Sequence, residues 1–600
     1  MRRVRIPQHV LLLAGAGASL VAAGACGDSR SSFEGGRVFE EDVDGGSGTD
    51  GQTCGFQCSI DGRSIVDTCT GSVVETCPPE LACGGARCQE PCAAAAEDRS
   101  SNGCEFYFQM PRFTHTFAQS CYATFIVNTS TLPLDVSLDI EGRPLDVSNA
   151  MYRTEPGSAE LVKHTGPIAP GESTILFVAD RDPDRPRPGE EPERVACPIG
   201  VVPAVYLESP LPAGTGIGTA FHLKTNAPAG LTAMYPFGGA RSLVPSATLL
   251  SPVTTWAKEN IIVNGWEVSN AGYPATQILA SEDGTEVTLI PKVPVAGGNG
   301  VQGTPADMPM TYRLDKGQIL QFAQIEELTG SIVTSNKPTS VVGGHSCAFI
   351  PARGGACDIL AQQLPAFEQW GSEYVGVGYR PRLGNEHEEV AYRIVAARDG
   401  TRLDYDPAVP PGAPTTLSAG EMATFYSGTG DAFVVRTQDA EHPIYLAANM
   451  IGGDGPVSGS GAGYGGMGDP EFVNVVPAGQ YLSSYSFYAD PTYAETSLVV
   501  VRAKSGGEFK DVWLECAGNL TGFQPIGMRG EYEFVRVDLA RDGAPGQKFG
   551  DKICQNGLHR MRSDGPFTAT MWGWDLYASY AAPGGAAQRK LVTTPLVPVR

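Results

Sequence analysis

Ile278-Leu279-Ala280-Ser281-Glu282-Asp283-Gly284-Thr285-Glu286-Val287 returns further along the chain as Ile394-Val395-Ala396-Ala397-Arg398-Asp399-Gly400-Thr401-Arg402-Leu403. Each copy sets Asp-Gly between two strand-like runs, and Asp-Gly readily takes the positive φ angles of a tight hairpin turn. Internal similarity of this kind is the signature of a repeated architecture. A second shared element follows in each copy: Leu314-Asp315-Lys316-Gly317 with Phe322, then Leu417-Ser418-Ala419-Gly420 with Phe425. In both, five positions separate glycine from phenylalanine, so the glycine turns the chain and the aromatic is expected in the core.

A third element occurs four times: a strand ending in Ser or Thr, a short turn, a proline and another strand. It runs from Thr225 to Pro228, Ser335 to Pro338, Thr437 to Pro443 and Ser563 to Pro566, and the Thr437 copy carries an insertion. Proline lacks an N–H, so each of these is expected to open a strand or stand just before one. The prolines are 110, 105 and 123 residues apart, which predicts four β units. The expected fold is all-β: tandem β-sandwich-like units, in which paired sheets bury the alternating residues, after a small disulfide-rich module. A propeller-like closed β assembly is the alternative, because four repeats could close radially. Glycine (74) and proline (46) are abundant and charged residues make up only 18%, a mix that suits short strands and tight turns.

The N-terminus reads as an address. Arg2, Arg3 and Arg5 precede an apolar run, Val10 to Ala25, that is short for a membrane span and fits a secretory signal peptide. Ala23-Gly24-Ala25-Cys26 resembles a lipobox, which implies cleavage before Cys26 and acylation of that residue. The expected partition is 1–25 signal peptide, 26–53 lipidated cysteine and acidic, Gly/Ser-rich tether, and 54–104 cysteine-rich module. It continues as 105–250, 251–360 and 361–451 for the first three β units, 452–469 for a Gly-rich loop between units, and 470–600 for the fourth unit and tail. The protein is therefore expected to be exported and held at the cell envelope, on the outer membrane or cell surface, touching the membrane through its lipid alone.

Of 15 cysteines, removing Cys26 leaves an even number, consistent with disulfides in an oxidising compartment. Cys54, Cys58, Cys69, Cys77, Cys83, Cys88, Cys92 and Cys104 staple a segment too small to hold a core, and their pairing stays open. The later cysteines are expected to pair as Cys121 with Cys197, Cys347 with Cys357, and Cys516 with Cys554.

The phrases Gly272-Tyr273-Pro274-Ala275-Thr276-Gln277-Ile278, Gly317-Gln318-Ile319-Leu320-Gln321-Phe322, Ile332-Val333-Thr334-Ser335-Asn336-Lys337-Pro338, Gly343-Gly344-His345-Ser346-Cys347 and Gln362-Gln363-Leu364-Pro365 resemble the IgG-Fc-binding protein N-terminal domain family, in particular its bacterial lipoprotein members. The resemblance is strongest over about 220–500. It implies an extracellular binding or adhesion role and supplies no catalytic residues.

Candidate chemistry fails on context. Gly461-Ala462-Gly463-Tyr464-Gly465-Gly466 spells GxGxxG, but the nucleotide fingerprint needs a preceding strand and a following helix. Cys347, beside His345, would need a free, activated thiolate, and it has a partner cysteine ten residues on. Neither a zinc-protease helix nor a nucleophile elbow is present. Tyr481, Tyr485, Phe487, Tyr488 and Tyr493 could stack on sugar rings, though alternating aromatics of a strand more simply fill a core. A net charge of −23 repels nucleic acid. The expected function is binding without catalysis and without cofactor or metal, toward an extracellular protein or polysaccharide. A structural envelope protein or a secreted hydrolase are the rival readings. Loops are the expected contact surfaces, with His345, Tyr464 and Asp469 as candidate ligand residues.

Overall fold

The computed structural model describes residues 55–59, 62–70, 72–184, 194–241, 244–351, 356–384, 387–454 and 463–596. Cys26, Cys54 and the leader and tether lie outside them. The cysteine module has one three-stranded sheet, Phe56–Cys58, Ser64–Asp67 and Val73–Thr76, and a hairpin of Ala82–Gly84 with Arg87–Gln89. Its apolar core is small and mostly cysteine, and bridges Cys58–Cys83, Cys77–Cys88 and Cys92–Cys104 hold it. The one α-helix among the described residues, Pro91–Asp98, joins it to the β units.

Seven strands then recur four times in one order of pairing. In the first unit they are Asn102–Phe108, Tyr122–Asn128, Val136–Ile140, Arg143–Leu145, Ser173–Asp180, Phe221–Tyr235 and Ser246–Leu249. The second has Ala257–Ile261, Pro274–Ala280, Thr285–Ile290, Met310–Leu314, Gln318–Ala323, Ile332–Ala348 and Asp358–Gln363. The third has Glu373–Gly376, Glu389–Ala396, Thr401–Asp406, Thr416–Leu417, Met422–Gly428, a split sixth strand Phe433–Thr437 and Ile444–Met450, and Glu471–Asn474. The fourth has Leu482–Ala489, Glu495–Ala503, Val512–Leu514, Gly518–Asn519, Tyr532–Arg541, Gly557–Asp575 and Ala578–Pro583.

In every unit the sixth strand belongs to both layers of a sandwich. In the second unit, Ile332 to Ser335 pairs with the third strand, and Thr339 to His345 pairs with the second. Between these halves lies Ser335 to Pro338, the turn at which the chain passes from one sheet to the other. The proline element therefore marks a corner. Pro228, Pro338 and Pro566 lie inside long bent strands rather than opening them, because a corner interrupts the ladder and has no need of that N–H. Only Pro443 stands immediately before a strand, since the insertion in the third unit splits the sixth strand in two.

The other two repeated elements meet at this corner. In the second unit Asp283 Oδ1 accepts from the Lys316 amide at 3.0 Å and Asn336 Oδ1 accepts from the Glu286 amide at 2.9 Å. In the third, Asp399 Oδ1 accepts from the Ala419 amide at 3.0 Å and Gln438 Oε1 from the Arg402 amide at 2.8 Å. Gly284, Gly400, Gly317 and Gly420 all have positive φ, and Phe322 and Phe425 are fully buried.

The seventh strands are sheet edges, and they meet at the middle of the molecule. Ser246–Leu249 lies against both Asp358–Gln363 and Ala578–Pro583, and Glu471–Asn474 lies against the same two. No ladder joins them, so they form no barrel. Side chains satisfy the facing edges instead: Gln362 Nε2 donates to the carbonyls of Ala247 (2.7 Å) and Ala581 (3.3 Å), and Ser246 Oγ and Thr248 Oγ1 accept from the amides of Ala361 and Gln363. A propeller is excluded by the two-layered units, since a blade is one sheet. Equivalent turns at Val253–Thr255, Phe367–Gln369 and Ala478–Gln480 lead from each seventh strand to the next unit. They are chained by Gln369 Nε2 to Thr255 O and Gln480 Nε2 to Gln369 O.

Three boundaries differ from expectation. The Gly-rich segment 452–469 does not separate the third and fourth units. It joins the sixth and seventh strands of the third, because Glu471–Asn474 pairs with Ala447–Met450. Likewise Asp358–Gln363, cut at 360 by the expected partition, is a single strand of the second unit, and Asn102–Phe108, cut at 104, is a single strand of the first.

Candidate binding face

Because the second strand runs antiparallel to the second half of the sixth, Ala280 at its Asp-Gly end faces Thr339, and Pro274 at its other end faces His345. The loops between sixth and seventh strands thus leave the end opposite the corner, about 20 Å away at ~3.4 Å per residue. Those of the second, third and fourth units converge. The Gly452 amide donates to Ile350 O at 2.9 Å, the Tyr577 amide to Gly466 O at 2.7 Å, and the Gly468 amide to Asp575 O at 2.8 Å. Asp469 N donates to Ser579 Oγ at 2.8 Å, and Tyr577 Oη to Asp454 Oδ1 at 3.2 Å. The turn Gly239–Arg241 of the first unit packs on Ala578–Pro583 beside them.

One side chain clamps the stems of the Gly-rich loop. Arg382, in the loop between first and second strands of the third unit, donates through Nη1 to Ile451 O and Met467 O, each at 2.8 Å. Its Nε donates to Glu388 Oε1 at 2.7 Å, both side chains are buried, and the guanidinium lies 3.8 Å from the Tyr464 ring centre. A buried guanidinium is stable only with its charge and donors matched, and here carboxylate, carbonyls and aromatic face do so. Nearby, Arg380 pairs with Glu495 and Asp538 of the fourth unit and lies over Trp574. The loop frame is therefore rigidly tied across units. Exposed apolar side chains stand on it: Tyr273, Leu383 and Leu576 are 44%, 57% and 53% exposed. Apolar and aromatic residues on a rigid frame suit a protein contact.

The three candidate ligand residues are inside rather than on this face. His345 is fully buried in the sixth strand of the second unit; its Nδ1 accepts from the Cys347 amide at 3.0 Å, and burial pulls its pKa down to about 3. Tyr464 is mostly buried under Arg382, and burial raises its hydroxyl. Asp469 is buried, and burial pushes its carboxyl well above the usual range against the pull of Arg382. Each sits at the foot of the loops, packed inside the frame. Arg382, Glu388 and Arg380 were not singled out from sequence. The available signal was Tyr379-Arg380-Pro381-Arg382, a pair of cations in an acidic chain.

Among the described residues, the acidic cluster Asp358, Asp469 and Glu471 is buried rather than open to a substrate. Asp358 is raised first by burial and then by the charges of Asp469 and Glu471. Burial also raises Glu471, while the amides of Phe472, Ala247 and Ala581 and the Ser246 hydroxyl favour its charge. These carboxyls lie among the seventh strands, away from solvent. Cys347 is bridged to Cys357, and further bridges join Cys121 to Cys197 and Cys516 to Cys554. Of the GxGxxG spelling, 461 and 462 lie outside the described residues, and the chain after Gly466 leads to a strand instead of a helix. The crowded aromatics Tyr481, Tyr485, Phe487, Tyr488 and Tyr493 are all core residues.

The sequence model of a family described as IgGFc binding protein matches residues 246–573, from the seventh strand of the first unit to the sixth of the fourth. The chain is also similar to the IgGFc-binding protein of Homo sapiens, 27% identical over 260 residues. That match covers 43% of this chain and 4% of the human protein.

Proposed function

The chain belongs to the IgGFc binding protein family, and from that premise we propose that it is a non-catalytic binding protein of the cell exterior that engages an extracellular protein through the converging loops. The carrying observation is the Arg382 clamp. It spends a buried ion pair on fixing the two stems of a surface loop, which is the arrangement a preorganised contact surface requires. Lipid on Cys26 would hold the protein at the envelope, with the four units carried on the tether and cysteine module. An adhesive role follows from a surface-held binder. Polysaccharide is the less favoured partner, because the crowded aromatics Tyr481, Tyr485, Phe487, Tyr488 and Tyr493 are buried and the exposed Tyr273 stands among apolar side chains.

The test uses the full chain carrying Cys26→Ser as soluble bait in secreted and envelope extracts, with an immunoglobulin Fc fragment as one defined prey. Capture of a specific protein that is lost on Leu383→Glu with Leu576→Glu supports the reading. Turnover of a glycan or peptide by the bait overturns it.

A further inference from the structure

We propose that the fifth strand of the third unit, Met422–Gly428, is an open sheet edge that receives an extended basic segment of a partner protein as an added strand. This goes beyond the loop face and does not depend on it. In three units the outer edge of the fifth strand is already paired. Met151–Arg153 and Val205–Tyr206 pair with Ser173–Asp180 in the first, and Gln524–Ile526 and Ala544–Pro545 with Tyr532–Arg541 in the fourth. In the second, Gly216–Thr219 crosses over from the first unit to pair with Gln318–Ala323, so this edge accepts a strand from elsewhere. In the third unit, among the described residues, Met422–Gly428 pairs with Glu389–Ala396 alone.

Alternate residues of an antiparallel edge direct both N–H and C=O outward, and an edge left so is a template for pairing. Natural edges are blunted with lysine, proline or a bulge. Met422-Ala423-Thr424-Phe425-Tyr426-Ser427-Gly428 contains no proline or charged residue, its pairing runs without a register shift, and most of its residues are partly exposed.

Charge selects the occupant. Glu421 precedes the strand and Glu389 pairs with Gly428 at its far end; both are exposed, as is Glu267 of the second unit. Burial first, and then the charges of Glu389 and Glu267, raise the Tyr426 hydroxyl, with Arg393 acting the other way. The cations nearby are engaged: Arg393 holds Glu327 and Lys292 holds Gly420 O. A second copy of this chain would set the same carboxylates opposite themselves, so a segment bearing Lys or Arg between strand-forming residues fits better.

Three short labelled peptides are titrated onto the full chain carrying Cys26→Ser: alternating Lys and Val, the same with its central Val replaced by proline, and alternating Glu and Val. Hydrogen exchange is read over 422–428. The Lys–Val peptide is expected to bind and to slow exchange of those amides, with affinity at least about tenfold above the proline peptide. The Glu peptide is expected not to bind, and Glu267→Lys with Glu389→Lys to weaken the Lys–Val peptide. Equal binding of the proline peptide, protection confined to other segments, or dimerisation of the chain through 422–428 would overturn the proposal.

Discussion

The main-chain amide of Asp469 donates to Ser579 Oγ at 2.8 Å, fastening the root of the third unit's longest loop to the last strand of the fourth. Ser579 also donates its own amide to Asp358 of the second unit at 3.2 Å. One serine thus joins three units where their loops emerge. Loop position in this protein is set by the packing between units as much as within them, and the expected consequences follow from that.

Removing the clamp should be expensive. Arg382→Met leaves Glu388 buried without its partner, a situation that typically costs about 3–5 kcal/mol. Arg382→Met with Glu388→Leu should recover much of that loss, since a buried pair replaced by apolar groups can be close to neutral. Urea denaturation of the two variants checks the order. Equal loss in both would show that the carbonyl contacts to Ile451 and Met467, rather than the ion pair, dominate.

The central strands give a second test. Gln362→Met strips the donor from the carbonyls of Ala247 and Ala581 in a buried setting. Leaving buried acceptors unmatched costs about 1–3 kcal/mol. Gln362→Glu should be worse, because it sets a carboxylate against two carbonyls. Melting of both variants against the parent protein measures this.

In acid the buried histidines work against the fold, while the raised carboxyls of Asp358, Asp469 and Glu471 work for it, so each group is tested by its own substitution. Burial lowers His345 to about 3 and His559 to about 4, so both stay neutral in the folded protein while unfolded histidine takes a proton near pH 6.5. The unfolded state then binds more protons, and stability falls as pH drops from 6.5 toward those values, by roughly 3 kcal/mol for each group at pH 4.5. Asp490, raised by burial to about 6, works the other way: its contribution is present at low pH and lost as pH rises from about 4 to 6. His345→Gln should flatten the acid limb of a melting-versus-pH curve, and Asp490→Asn should steepen it while adding stability at pH 7. An unchanged acid limb in the histidine variant would remove His345 from the account.

The proposed lipid anchor on Cys26 has its own test. Cys26→Ser is expected to abolish incorporation of labelled palmitate and to move the protein from the membrane to the soluble fraction. Label retained by the variant would show attachment at another residue.

The repeated elements were legible because they are local chemistry used at one place. Asp283 and Asp399 turn two hairpins and cap the neighbouring Gly317 and Gly420 turns in the same way, so sequence similarity followed structural need. The four-unit, two-layered fold was readable from that pattern. The place of the Gly-rich loop was not. Glu471-Phe472-Val473-Asn474 is only four residues long, and pairing back to Ala447–Met450 across the loop is a non-local event that no local signal announces. His345 and Asp469 misled for a related reason. Polar residues beside loops suggest exposure, yet packing of one unit on another covers both. Arg382 showed the converse: a cation in a loop that turns inward to hold backbone carbonyls.

The most direct measurement of the central claim is capture of an extracellular protein by the Cys26→Ser chain and by two substituted forms of it. One carries Leu383→Glu and Leu576→Glu on the loop face; the other carries Lys316→Glu at the corner end. Both sites are exposed, so each form should melt within a few degrees of the parent. The loop-face form should lose capture and the corner form should keep it. Capture undiminished by the loop-face substitutions, or lost equally in both, would contradict the central claim.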